Sequence, residues 1–207
     1  MDLIIFDCDG TLVDSEYLCN LGMEQQLAEM GLIVNAEELV SQYRGVKLDI
    51  IIKALEKKFA TSFHASFEAE YRQKVNALFE QHLKANEGVI ELIESLTVPI
   101  CIASSAPRIK IKHALKVTGL DKYFNDEHIF SAHEVGSWKP EPGLFLHAAK
   151  AMNVAPEKCS VIEDSVVGLQ AANAANMKSI YYAPDALEKN ALASMQVRHM
   201  SELINQV

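Results

Sequence analysis

Leu3-Ile4-Ile5-Phe6-Asp7-Cys8-Asp9-Gly10-Thr11 opens the chain with four apolar residues that run straight into two aspartates and a glycine. A short unbroken apolar run of this kind fits a strand buried on both faces. Side chains alternate along it, so Asp7 and Asp9 point the same way and Cys8 the other. Two carboxylates in one small volume repel unless a cation bridges them or one takes a proton. The pattern implies a hard metal ion, an acid/base pair, or both. Gly10 lets the backbone turn sharply there. An isolated Asp-x-Asp-Gly string also fits a plain strand-end turn, so the discriminating residues lie further along the chain.

Further apolar runs occur at residues 100–103, 160–162 and 179–182, with helical patterns between them at 89–96, 109–117, 144–152 and 166–175. Strands alternating with helices predict an α/β fold with a parallel sheet covered on both faces. Ligands of such sheets bind beyond the carboxyl ends of the strands. Residues 15–84 differ: they hold none of the six prolines, all of which fall at Pro99 or later. There Phe67, Tyr71, Val75, Leu78, Phe79 and Leu83 recur at helical spacing, and Leu18, Met23, Leu27 and Met30 form a second stripe. With helices also expected at 36–42 and 48–59, this segment reads as a small helical bundle. The tail after Pro184 reads as a loop and a short final helix.

Composition narrows the function. Apolar residues at 49% and charged residues at 23% are the balance of an ordinary folded protein. The formal charge of -9, from 19 basic and 28 acidic side chains, opposes a general attraction to nucleic acid or anionic membranes. No basic segment followed by an apolar core stands at the start, and no apolar run approaches spanning length, so a cytoplasmic protein without a membrane partner is expected. Four cysteines without Cys-x-x-Cys spacing argue against a zinc site or a disulfide framework. Cys101 lies in an apolar run, where a nucleophilic thiolate would be poorly solvated.

The string Asp7-x-Asp9-Gly10-Thr11 at an apolar strand end resembles the first motif of the haloacid dehalogenase-like phosphohydrolases, and the other motifs follow in order. Ser104-Ser105 ends the second apolar run. Lys139 stands in Trp138-Lys139-Pro140-Glu141-Pro142, where the proline keeps it out of helical geometry. Glu163-Asp164 ends the third run. The resemblance extends from Asp7 to about Tyr182 and implies a Rossmann-like three-layer core, residues 1–14 and 85–207, with an inserted helical-bundle cap, residues 15–84. It also implies Mg²⁺, held by an Asp7 oxygen, the Asp9 backbone carbonyl and Asp164, with Glu163 acting through water or a neighbouring hydrogen bond.

In such a site Asp7 is the nucleophile and Asp9 the acid/base. Lys139 steadies Asp7 and offsets phosphoryl charge, and Ser104 hydrogen-bonds a phosphoryl oxygen. Thr11 and Ser105 join the substrate-binding set. Each residue alone has a plainer reading: Ser104 or Ser105 as a cap for the helix starting near Pro107, Glu163 and Asp164 as helix-terminal charges, and Lys139 as a surface cation. Their shared order along the chain favours the site.

Within the expected cap, Tyr43-Arg44-Gly45-Val46-Lys47 resembles a substrate-specificity loop, with Arg44 and Lys47 as contacts to a distal anionic group. Arg108, at the mouth of the second strand, is a further candidate. All three also fit solvated surface charges. Family mutases carry a histidine four residues beyond the position of Ser15, where Cys19 stands here, and the dehalogenases lack the second aspartate. The resemblance therefore implies a phosphatase acting on a small phosphorylated metabolite, a sugar phosphate or a sugar-acid phosphate such as 6-phosphogluconate; a monomer or weak dimer is expected. A sugar phosphomutase and a non-catalytic Mg²⁺ or anion-binding module are the competing readings.

Overall fold

Four consecutive side chains without exposure form β1 (Leu3–Phe6), a central strand of the computed structural model, which describes residues 2–207. It pairs in parallel with β2 (Ile100–Ser104) on one side and β4 (Cys159–Glu163) on the other. Outside these lie β3 (Ile129–Ser131), β5 (Lys178–Tyr182) and β6 (Met195–Val197), so that among the described residues one parallel sheet runs in the order β3-β2-β1-β4-β5-β6. This is the doubly wound strand order of Rossmann-type folds. The chain moves outward from β1 to β3, then crosses back to β4. The carboxyl ends of β1, β2 and β4 therefore border the point where the winding reverses.

Register brings the motifs level. Phe6 is opposite both Ile102 and Ile162, so Asp7 and Glu163 follow side by side, with Ser104 and Asp164 one residue further on. One face of the sheet is sealed by α8 (Gly143–Ala151) and α9 (Val166–Ala174), where Leu144, Phe145, Ala148, Ala171 and Ala172 pack against Leu3, Ile5, Cys101, Ala103 and Val161. Each large apolar side chain buried there contributes roughly 1.5–3 kcal/mol. The small residues of α9 let it lie close to the sheet.

The four strands expected from sequence are present, each within a residue or two of its expected limits. Two were not anticipated. β3 and β6 have only three residues each, too short for a periodic signal, and β6 lies in the tail that read as loop and helix. The tail does end in a short 3₁₀ turn, Met200–Leu203.

The strand-bearing unit takes in the residues up to Asp14 and Lys84–Val207, and Ser15–Leu83 form a second compact unit. At the exit from the first, Val13 pairs antiparallel with Ala85 and the Asp14 amide donates to the Lys84 carbonyl at 3.0 Å. The second unit holds α1 (Glu16–Ala28), α2 (Ala36–Tyr43), α3 (Leu48–Phe59) and α4 (Phe67–His82). Leu18, Met23 and Leu27 of α1 and Tyr71, Val75, Leu78 and Phe79 of α4 are buried as their spacing predicts, whereas Met30, expected in the first stripe, lies past the end of α1 and is half-buried. Gly22 makes the α1–α4 contact close, since a Cβ there would lie 2.7 Å from Val75 Cγ2. Among the described residues no helix is long and apolar enough to cross a membrane.

Candidate active site

Asp7 is the first residue past β1, and its amide donates to the Ile162 carbonyl at 3.0 Å, continuing the ladder for one more step. The chain then turns tightly: the Gly10 amide donates to Val13, and the Leu12 and Val13 amides both donate to Cys8. The turn needs Gly10, whose φ is +77°. Asn86 Nδ2 ties the turn down from the returning chain, donating to the carbonyls of Gly10 at 2.9 Å and Thr11 at 2.8 Å.

Lys139 reaches in from the loop before α8 and is buried, its peptide to Pro140 being cis. Its ammonium donates to Asp7 Oδ1 and to Glu163 Oε1, and lies 5.1 Å from the Phe145 ring centroid. The other Glu163 oxygen accepts from the Ser165 amide at 2.9 Å and the Ser165 hydroxyl at 2.8 Å, while Ser165 caps α9 by accepting from the Gly168 amide. Both Glu163 oxygens are thus held within the protein. A Cβ at Gly168 would overlap its carboxyl group, so the helix start is shaped around it.

Oxygens of Asp7, Glu163 and Asp164 lie within 4.8 Å of one another, all on buried residues. Three carboxylates and the Lys139 ammonium sum to a formal charge of -2 when all are ionised. Burying such an excess is costly without a further cation. The all-oxygen donor set suits a hard divalent ion. Burial is the largest influence on the Asp7 carboxyl and pushes it up to about 7, against the pull of Lys139. Burial also works against the Lys139 ammonium, yet Asp7 and Glu163 together hold it above its usual range, and it stays charged.

The match to known proteins covers nearly the same span as these residues. Residues 4–182 fit the family model of the haloacid dehalogenase-like hydrolases. The chain belongs to that family. It is 38% identical over 191 residues to 6-phosphogluconate phosphatase of Escherichia coli K12, covering 91% of this chain and 86% of that one. A phosphorylated carbohydrates phosphatase of Thermotoga maritima is 32% identical over 188 residues, covering 87% and 84%. A solved haloacid dehalogenase-like protein of unknown function from Agrobacterium tumefaciens superposes with a TM-score of 0.83 at 32% identity, covering 98% and 96%. With curated relatives of this kind, the chain is a phosphatase of the haloacid dehalogenase-like family.

Against that family pattern, the expected residues divide into those that meet and those that do not. Asp7, Lys139, Glu163 and Asp164 come together. Ser104 is 1% exposed, and its hydroxyl accepts from the Ala106 amide at 3.2 Å. Neither Ser104 nor Ser105 caps α6 (Arg108–Thr118), because Pro107 stands at that position. Thr11 is fully buried with its hydroxyl 3.4 Å from Asp164 Oδ1, so it supports a carboxylate in this arrangement. The Asp9 side chain is held by Lys110 and is not one of the three carboxylates whose oxygens lie within 4.8 Å of one another. Arg108 is bound through Nε and Nη2 to Glu134 at 2.7 Å, and through Nη1 to the Asp126 carbonyl. Arg44 and Lys47 are exposed on the α2–α3 loop of the second unit.

Lys110, Asn86, Ser131 and Ser165 escaped the sequence reading. Ser131 ends β3 and donates to the Ala106 carbonyl at 2.7 Å, holding the loop that carries Ser104. Only Ser165 had a local signal, as a serine at the start of a helical pattern. Cys101, by contrast, is fully buried, and burial pushes its thiol far above the usual range, which disfavours a nucleophilic thiolate.

Proposed function

We propose that this phosphatase hydrolyses a small phosphorylated sugar or sugar acid, with 6-phosphogluconate as the specific substrate, through a phosphoryl group carried on Asp7. The observation that supports it most is the division of labour among carboxylates: Asp7, Glu163 and Asp164 share one buried, cation-demanding space, while Asp9 lies beside it on a separate lysine. The substrate rests on the likeness to the Escherichia coli 6-phosphogluconate phosphatase and the Thermotoga maritima phosphorylated carbohydrates phosphatase.

In this reading Asp7 and Asp164, with the Asp9 carbonyl, hold Mg²⁺, and Glu163 acts indirectly because its oxygens already serve Lys139 and Ser165. Mg²⁺, when bound, supplies positive charge that offsets charge on the phosphoryl oxygens. Lys139 fixes the Asp7 carboxylate and adds a second positive charge, and the Ser104 hydroxyl binds a phosphoryl oxygen. An Asp7 oxygen attacks phosphorus in line while the ester P–O bond breaks and Asp9 gives its proton to the departing oxygen. Asp9 then takes a proton from water, whose oxygen attacks phosphorus. The bond to Asp7 breaks, and phosphate leaves.

The Ser15–Leu83 unit serves as the cap, with Arg44 and Lys47 reading the distal part of the substrate. The working form is a cytoplasmic monomer or weak dimer acting on a free metabolite.

Released phosphate, assayed with Mg²⁺ over a panel of sugar and sugar-acid phosphates, tests this. Asp7→Asn is expected to abolish turnover while the chain stays folded, and undiminished turnover would remove Asp7 from its role. 6-Phosphogluconate ranking among the poorest substrates would reject the specific assignment. A hexose phosphate rearranged without release of phosphate would make the enzyme a mutase, against the cysteine at position 19.

A further inference from the structure

Lys110 holds Asp9 by both oxygens. Its ammonium lies 2.9 Å from Oδ1 and 2.9 Å from Oδ2, and the two side chains are only 20% and 23% exposed. The lysine stands in the first turn of α6, where the partial positive charge of the helix end disfavours a cation. Helix stability therefore does not account for it. In Arg108-Ile109-Lys110-Ile111-Lys112, the three cations take three different acids: Arg108 binds Glu134, Lys112 binds Asp126, and Lys110 alone binds a residue of the site. Ile111, fully buried, anchors this turn of α6, so the lysine stem starts from a fixed point.

A carboxylate oxygen has two lone pairs, so a single lysine contact does not by itself saturate it. Asp9 can thus exchange a proton with substrate while Lys110 remains attached. We propose that Lys110 is a positioning residue of the phosphatase reaction, which sets the plane of the Asp9 carboxyl group so that one oxygen faces the departing ester oxygen. The inference rests on the acid/base reading of Asp9 given above. A reacting group misplaced by about 1 Å loses on the order of a hundredfold in rate, so fixing one torsion matters.

The test compares two leaving groups. p-Nitrophenolate departs with little help from an acid, whereas a sugar alkoxide needs a proton as the bond breaks. The quantity to measure is kcat/KM, which covers departure of the leaving group but not the later attack of water. The probes are p-nitrophenyl phosphate and whichever of 6-phosphogluconate, glucose 6-phosphate and glycerol 3-phosphate the wild-type enzyme hydrolyses fastest. Lys110→Met, which keeps the stem, is expected to lose about tenfold to a hundredfold on the alkyl phosphate and no more than about threefold on the aryl phosphate. Lys110→Arg keeps the charge and is expected to recover most of the loss. Equal losses on both substrates, or no loss on either, would overturn the proposal, as would a failure of arginine to rescue.

Asp9→Asn separates the two levels. If it shows the selective alkyl loss while Lys110→Met does not, the lysine proposal alone fails. If Asp9→Asn keeps its alkyl activity, the acid/base reading fails and takes the proposal with it.

Discussion

Gly10 and Asp164 sit so close that a side chain at position 10 would overlap the carboxyl group at 164. The contact joins the turn after β1 to the end of β4. Gly10→Ala combines that overlap with a left-handed backbone at φ +77°, a conformation costing an L-residue roughly 1–2 kcal/mol. We expect weaker folding and about a tenfold to hundredfold loss of Mg²⁺ affinity, because a displaced carboxylate is a poor ligand. Calorimetric titration with Mg²⁺ decides this, and unchanged affinity would argue that Asp164 is not a ligand.

Lys139→Met leaves Asp7 and Glu163 buried without the ammonium they share. Breaking a buried ion pair from one side costs about 3–5 kcal/mol. Part of that loss should return in Lys139→Met/Asp7→Asn, which removes one of the stranded charges. Denaturant midpoints of the single and double variants measure the difference. A double variant less stable than Lys139→Met would contradict the electrostatic account.

The Asp7 carboxyl gives the protein without metal a defined pH dependence. Burial, outweighing Lys139, raises it from 3.8 to about 7, so folding takes up a proton between those values. A carboxyl raised in the fold contributes stability that is fully present below its unfolded pKa and is lost as pH rises through its folded pKa. This contribution should therefore fade from about pH 4 to pH 7, and Asp7→Asn should lack it. Unfolding in the presence of a chelator, followed across that window, compares the slopes. Parallel curves would mean that Asp7 is ionised throughout.

Asn86→Ala removes the donor shared by the Gly10 and Thr11 carbonyls. Leaving partly buried carbonyls unsatisfied costs about 1–3 kcal/mol. Since the same turn carries Asp9, kcat should fall along with the melting temperature. Thermal unfolding and steady-state kinetics on one preparation test both, and a variant that melts earlier with unchanged kcat would limit Asn86 to a structural role.

Much of this was readable in one dimension. The apolar run ending at Asp7 marked the central strand, and the apolar stripes on α1 and α4 marked the helical unit, because burial imposes a period on each. The three-residue strands β3 and β6 are too short to carry a period and were missed for that reason. Arg108 looked like a residue at a strand mouth because its number places it there, but the direction of a long side chain is set by its acid partner, Glu134.

From its own residues the sequence determined the alternation of strands and helices, the two-unit pattern, and the acidic and basic residue types at the strand ends, since these depend on spacing and on chemistry carried locally. Which charges meet was decided only by tertiary structure. Lys139 meets Asp7 across 132 residues, Lys110 meets Asp9 across 101, and Asn86 meets Gly10 across 76. Contacts of that range follow from strand order and register, which bring distant segments to one sheet edge. Coulomb attraction and hydrogen bonding act only once the fold has put the groups within a few ångströms of each other.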